Sequence, residues 1–155
     1  MTKKEKIKLK QELKEICIGL LEQRIETASH AMKLAQESAN ESEKSSAGDK
    51  YETSRAMGQL DRDMNAKQLE EGKRELGLIM STDIGKLYNS VTQGAVVIFN
   101  GNLFFILTGL GTIKHEGKTT VVLSPKAPLS LAMKQMKAGD SFIFNGNKFE
   151  ITEVF

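Results

Sequence analysis

Cysteine, proline and tryptophan are nearly or wholly missing from this chain: 155 residues carry one Cys, two Pro and no Trp, and aromatic residues make up 6%. So few aromatic side chains leave no rich stacking surface for bases or sugars. The single Cys fits a reducing compartment. No apolar run is long enough to span a bilayer and no signal peptide is evident, so a cytoplasmic, membrane-free protein is expected. Charge of one sign is lacking too. With 22 basic and 20 acidic residues the net charge is +2, which argues against a general nucleic-acid coat. There is no Gly-rich phosphate loop and no nucleophile elbow, and no room for a substrate domain, so a large metabolic enzyme is excluded. His30 and His115 have no Cys or second His at ligand spacing, and spacing assigns them no metal role.

What is present begins with helical periodicity. From Lys3 to Ala39 no Pro interrupts the chain, and Leu9, Leu13, Ile16, Leu20, Ala28, Met32, Ala35 and Ala39 mark an apolar stripe among Lys, Glu and Gln. Cys17, between Ile16 and Ile18, reads as a packing residue of this helix. Lys3, Lys4, Lys6, Lys8 and Lys10 crowd its start, as a solvated helix end or as a surface able to touch a phosphate backbone. Ser42, Ser45, Ser46, Ala47 and Gly48 compose a turn. A second stripe follows at Ala56, Met57, Leu60, Met64, Leu69, Leu76 and Ile79. The short connection predicts an antiparallel coiled-coil hairpin with the two stripes facing each other. Helices of about 35 residues would make an arm roughly 50 Å long.

After Ile84 the period changes. Ala95–Phe99, Leu103–Thr108, Thr119–Leu123, Ser141–Asn145 and Lys148–Val154 are short, rich in β-branched residues and Phe, and read as strands. Asn100-Gly101 and Asn145-Gly146 supply the positive φ angles of tight hairpin turns. Pro128 to Met136 reads as a short helix, with Pro in its first turn and Gly139 after its end. The fold class is therefore α+β. A helical hairpin occupies 1–80 with an acidic tip near 41–52, residues 81–90 link, and 91–155 form a small sheet with one helix across it.

The tip holds the most suggestive chemistry. Gly48-Asp49-Lys50-Tyr51-Glu52 places two carboxylates three residues apart where one helix turns back into the next. The same spacing is that of a capping box, in which Asp49 accepts a backbone N–H and Glu52 reaches back. Both readings can hold together, because a cap fixes the carboxylates on a rigid turn. Glu37, Glu41 and Glu43 either add negative potential there or form the solvated end of the first helix.

In the order of these parts the chain resembles the Gre transcript-cleavage factors of bacterial RNA polymerase, the GreA/GreB type, as a divergent member. Gly48, Asp49 and Glu52 match the Gly-Asp-x-x-Glu tip of that family. Val91, Gly94, Ala95 and Val97 match the opening of its FKBP-like globular domain, and Pro128, Leu129, Gly139 and Asp140 match the helix of that domain. The chain departs from the pattern at Thr53, Ser54 and Arg55 after the second acid, at Leu131 where Arg is common, and in its second proline, Pro125. The resemblance implies an elongation factor that binds RNA polymerase, inserts its acidic arm into the secondary channel and stimulates cleavage of backtracked RNA. It implies that Asp49 and Glu52 are ligands of a Mg²⁺ ion shared with the polymerase active site, and that the chain is not itself an enzyme. Ser124, Pro128 and Leu129 are the expected polymerase-binding residues, with the first turn of a helix packed on the sheet as the other reading of Pro128 and Leu129. Contact with RNA or DNA would be indirect or through the basic first helix, and no small-molecule substrate is implied. Two other readings stay open: a channel-binding regulator without cleavage activity, and a helical-hairpin protein-interaction module. Proline isomerase activity fits poorly, because most of the phenylalanines are needed as core.

Overall fold

A computed structural model of the chain describes residues 1–43 and 48–155, and the side chains of 42–51 lie outside the description. The serine-rich turn expected at 42–48 therefore falls mostly on residues that are not described. Two long helices come first, α1 (Lys3–Glu43) and α2 (Gly48–Ser81). Six strands follow: β1 (Val96–Phe99), β2 (Asn102–Ile106), β3 (Gly111–His115), β4 (Lys118–Leu123), β5 (Ser141–Phe144) and β6 (Asn147–Val154), with a short helix α3 (Pro128–Ala132) between β4 and β5. The α+β class and the hairpin-then-sheet order are as expected. Among the described residues no helix is long and apolar enough to cross a membrane.

By internal packing the chain divides into two units, one of 1–18 with 78–155 and one of 19–77. In the second, α1 and α2 pack antiparallel. Arg62 Nη1 donates to Gln36 Oε1 at 3.0 Å, a Cβ on Gly58 would stand 3.4 Å from Ala39 Cβ, and one on Gly72 would stand 3.0 Å from Ile25 Cγ1. The pairs 36/62, 39/58 and 25/72 run in opposite senses, which sets the register. The expected stripe of α2 is corrected over its outer half. Met57, Leu60 and Met64 are 57%, 59% and 62% exposed, and Ala56 is exposed as well. The inner face there is made by Gly58, Arg62, Asn65, Leu69 and Gly72, all at least half-buried. Small Ala35 and Ala39 on α1 let the backbones approach at Gly58, and that close approach leaves no room for methionine. Arg62 bonds across the seam with its guanidinium.

In the first unit, α1 opens with a capping box of the Thr-x-x-Glu pattern: Thr2 N donates to Glu5 Oε2 at 2.6 Å and Glu5 N to Thr2 Oγ1 at 3.2 Å. Those bonds to Thr2 hold the Glu5 carboxyl below its ordinary pKa. Leu13, Cys17 and Ile79 are fully buried.

The sheet runs β3-β4-β2-β1-β6-β5, with β2 parallel to β4 and every other neighbour antiparallel. Val91, Val97, Phe99, Ile106, Met133, Phe142 and Ile151 form its core. Phe99 is central there, stacked on Phe104 at 4.3 Å and edge-on to Phe142 at 5.1 Å between ring centroids. Both Asn-Gly turns have positive φ at the two central residues, as a type I′ hairpin requires. Strand β3 is an addition to the strands expected from sequence, and it makes a hairpin with β4, the strand expected at Thr119–Leu123. The turn of that hairpin is Glu116-Gly117, also positive at both residues, and Glu in place of Asn hides the signal. The helix expected over 128–136 ends at Ala132. Beyond it Gln135 turns to φ +63°, and the chain pairs with Val91 through Gln135 N to Val91 O at 3.0 Å and Val91 N to Met136 O at 2.8 Å. Gly94, at φ +91°, admits no other residue: a Cβ would meet Thr82 Cγ2 at 2.9 Å and Tyr88 Oη at 3.1 Å.

Candidate functional site

Of the two expected metal ligands, Glu52 is exposed in the first turns of α2, and the side chain of Asp49 lies outside the described residues. The capping-box reading of that pair depends on the same side chain and lies outside them too. On α1 the acidic neighbours Glu37 and Glu41 are exposed; the Glu43 side chain is among those not described.

The expected docking residues lie around the start of α3. Ser124 begins a turn in which its carbonyl accepts from Ala127 N at 3.0 Å and its hydroxyl from Lys126 N at 3.2 Å. Ala127 is the N-cap and offers no side-chain cap, while Pro128 supplies the first helical position, where a missing N–H costs nothing. Pro128 is exposed. Leu129 is half-buried and packs against the sheet core, and Leu131 is 55% exposed. Behind them Ser130 Oγ is buried with no hydrogen-bond partner, and Ser130 lines a cavity of about 320 Å³ together with Lys126, Lys134 and Gln135.

The basic start of α1 differs from a plain solvated end. Lys6 pairs with Glu153 and lies 5.3 Å from the Phe155 ring centroid. Lys10 is fully buried; its Nζ donates to the Lys86 carbonyl at 2.9 Å and sits 4.6 Å from the Tyr88 ring centroid. Burial pulls its pKa down to about 8, against the opposing pull of Asp83. Lys3, Lys4 and Lys8 are exposed, and Lys8 pairs with Glu12 at 3.6 Å. A phosphate-binding surface on this helix is therefore narrower than the five lysines suggest. Cys17 is a packing residue, as read: it is fully buried, and burial raises its pKa to about 11, far from a reactive thiolate.

The tightest grouping of potential ligands among the described residues is elsewhere. His115, at the end of β3, places Nε2 2.8 Å from Glu12 Oε2 on α1, and Glu116 follows in the hairpin turn. One ligand atom from each of Glu12, His115 and Glu116 lies within 4.8 Å of the others, at the edge of a cavity of about 380 Å³. His115 and Glu12 are largely buried, with side-chain exposures of 16% and 31%, whereas Glu116 is exposed.

No family model and no curated protein matches the chain. Among solved structures it is similar to one titled "Structure of the transcription factor Gfh1", at 14% identity over 88% of this chain and 92% of that one, with a TM-score of 0.34. A likeness of that size carries no argument about function. The functional reading rests on the residues of the chain itself.

Spacing could not reveal the grouping at His115, since Glu12 lies more than one hundred residues before His115 and Glu116 and meets them only because the β3–β4 hairpin lies beside the first turns of α1. The available signals were Glu-Gly as a disguised hairpin turn and Glu12 in a basic helix start.

Proposed function

We propose that this chain is a transcription elongation factor of the Gre type, which binds RNA polymerase and carries two carboxylates on a helical arm into its secondary channel. The observation that supports it best is the combination of a long antiparallel helical hairpin, Asp49 and Glu52 at the start of its returning helix, and a small α+β unit after it. Oxygen donors of this kind suit Mg²⁺, a hard cation that takes carboxylates and water. When bound, that ion would supply the second centre of a two-metal phosphodiester hydrolysis, the first belonging to polymerase. The part of this chain is to present the two carboxylates together at the end of a helical arm. Pro128, with Ser124 and Leu129 around it, is the proposed polymerase-facing edge, and the exposed Leu131 extends its apolar surface. On this reading the chain has no active site of its own and works in the cytoplasm.

The test is RNA cleavage in stalled, backtracked elongation complexes, with wild-type protein and the Asp49→Ala/Glu52→Ala double variant over a series of Mg²⁺ concentrations. Stimulated cleavage should fall to the unstimulated rate of the polymerase in the variant, with binding retained. Equal stimulation by both proteins would sink the proposal. Binding by both without stimulation by either would identify a channel-occupying regulator.

A further inference from the structure

Glu12, His115 and Glu116 combine one imidazole nitrogen with carboxylate oxygens from two elements, a donor set suited to zinc rather than to the hard cations that prefer oxygen alone. Two of the three already converge on one point, with Nε2 and Oε2 2.8 Å apart. In tetrahedral coordination, bonds of about 2.0–2.1 Å would set them about 3.3 Å apart, a small opening of the present contact. Glu116 is exposed, and its side chain is free to swing toward the same point from the turn. The adjoining cavity of about 380 Å³ leaves a fourth position for water. Lys8 and Lys118 line the cavity as well, so their charge limits affinity.

We propose that Glu12, His115 and Glu116 form a binding site for a divalent transition-metal ion of the zinc type, which ties the first turns of α1 to the β3–β4 hairpin. The site is separate in residues and in purpose from the tip carboxylates, and it stands whether or not the chain acts on polymerase.

The experiment is calorimetric titration of ZnCl2 into the full chain without an affinity tag, joined to thermal unfolding with and without the ion. The wild type should bind one equivalent and unfold at higher temperature when loaded. His115→Gln should lose saturable binding. Glu116→Gln, which leaves the Glu12–His115 contact untouched, should weaken it by about tenfold or more. Loading with Co²⁺ should give visible absorption bands in the wild type that are missing in His115→Gln. His30→Gln should bind as the wild type does. No saturable binding by the wild type, unchanged affinity in both His115→Gln and Glu116→Gln, or loss of the site in Asp49→Ala/Glu52→Ala would overturn the assignment and leave an ordinary contact between Glu12 and His115.

Discussion

Lys10 shows how one residue can contradict its neighbours. In sequence it is the last of five lysines crowding a helix start, and nothing in that pattern distinguishes it from Lys8. In the fold its ammonium is buried against Tyr88 and held by the Lys86 carbonyl, with its pKa lowered to about 8 by burial. The unfolded chain holds that proton up to the ordinary lysine range near 10.5. Between those values the unfolded state binds more protons, so the Lys10 contribution becomes more favourable as pH rises, and below about 8 it is constant. Tyr88 titrates in the opposite sense. Its pKa is raised by burial and by Asp83, which removes stability as pH climbs through the tyrosine range. Urea unfolding of wild type and Lys10→Met should therefore show their stability difference shifting toward the wild type from about pH 8 to about pH 9.5, before tyrosine interferes. A flat difference across that window would mean the ammonium keeps its water. Cys17 titrates in both proteins and cancels.

Among elements, α2 has its helical period legible and its facing side misread. Periodicity locates apolar residues on a surface, but it cannot say that a helix with Ala35 and Ala39 opposite will present glycine rather than methionine. Close approach decided that, and it turned Met57, Leu60 and Met64 outward. The glycines test this. A methyl at Gly77 would meet nothing within 4 Å, on backbone with no positive φ, whereas a methyl at Gly72 would stand 3.0 Å from Ile25 Cγ1. Gly77→Ala should stabilise by about 0.5–1 kcal/mol through lower chain entropy and better helix propensity. Gly72→Ala should fall short of that gain by at least the cost of displacing Ile25, so its thermal midpoint should lie below that of Gly77→Ala. If Gly72→Ala were the more stable of the two, the seam would not run through Gly72 and Ile25. Strands were legible where β-branched runs ended in Asn-Gly. The β3 strand escaped because its burial pattern leaves only Ile113 buried and its turn reads Glu-Gly.

Across the whole molecule, buried apolar side chains are unevenly shared. The sheet unit holds Phe99, Phe105, Ile106, Met133 and Ile151 at or near full burial, while residues 19–77 bury little beyond Leu21, Ala28 and Ala39 among the described apolar side chains. Local opening should follow that division. Native-state hydrogen exchange should find the amides of α2 between residues 52 and 66 less protected than those of Val97, Ile106 and Ile151, by orders of magnitude. Equal protection in both sets would mean that the arm opens only with the sheet. By itself the sequence determined the α+β class, the hairpin preceding the sheet, the two Asn-Gly turns and the acidic pair Asp49 and Glu52, because each depends on local backbone preference or on spacing within one element. Only the tertiary structure decided which side of α2 faces α1, that Lys10 is buried, and that Glu12 meets His115, because those outcomes depend on which distant surfaces pack together, and local preference carries no record of that.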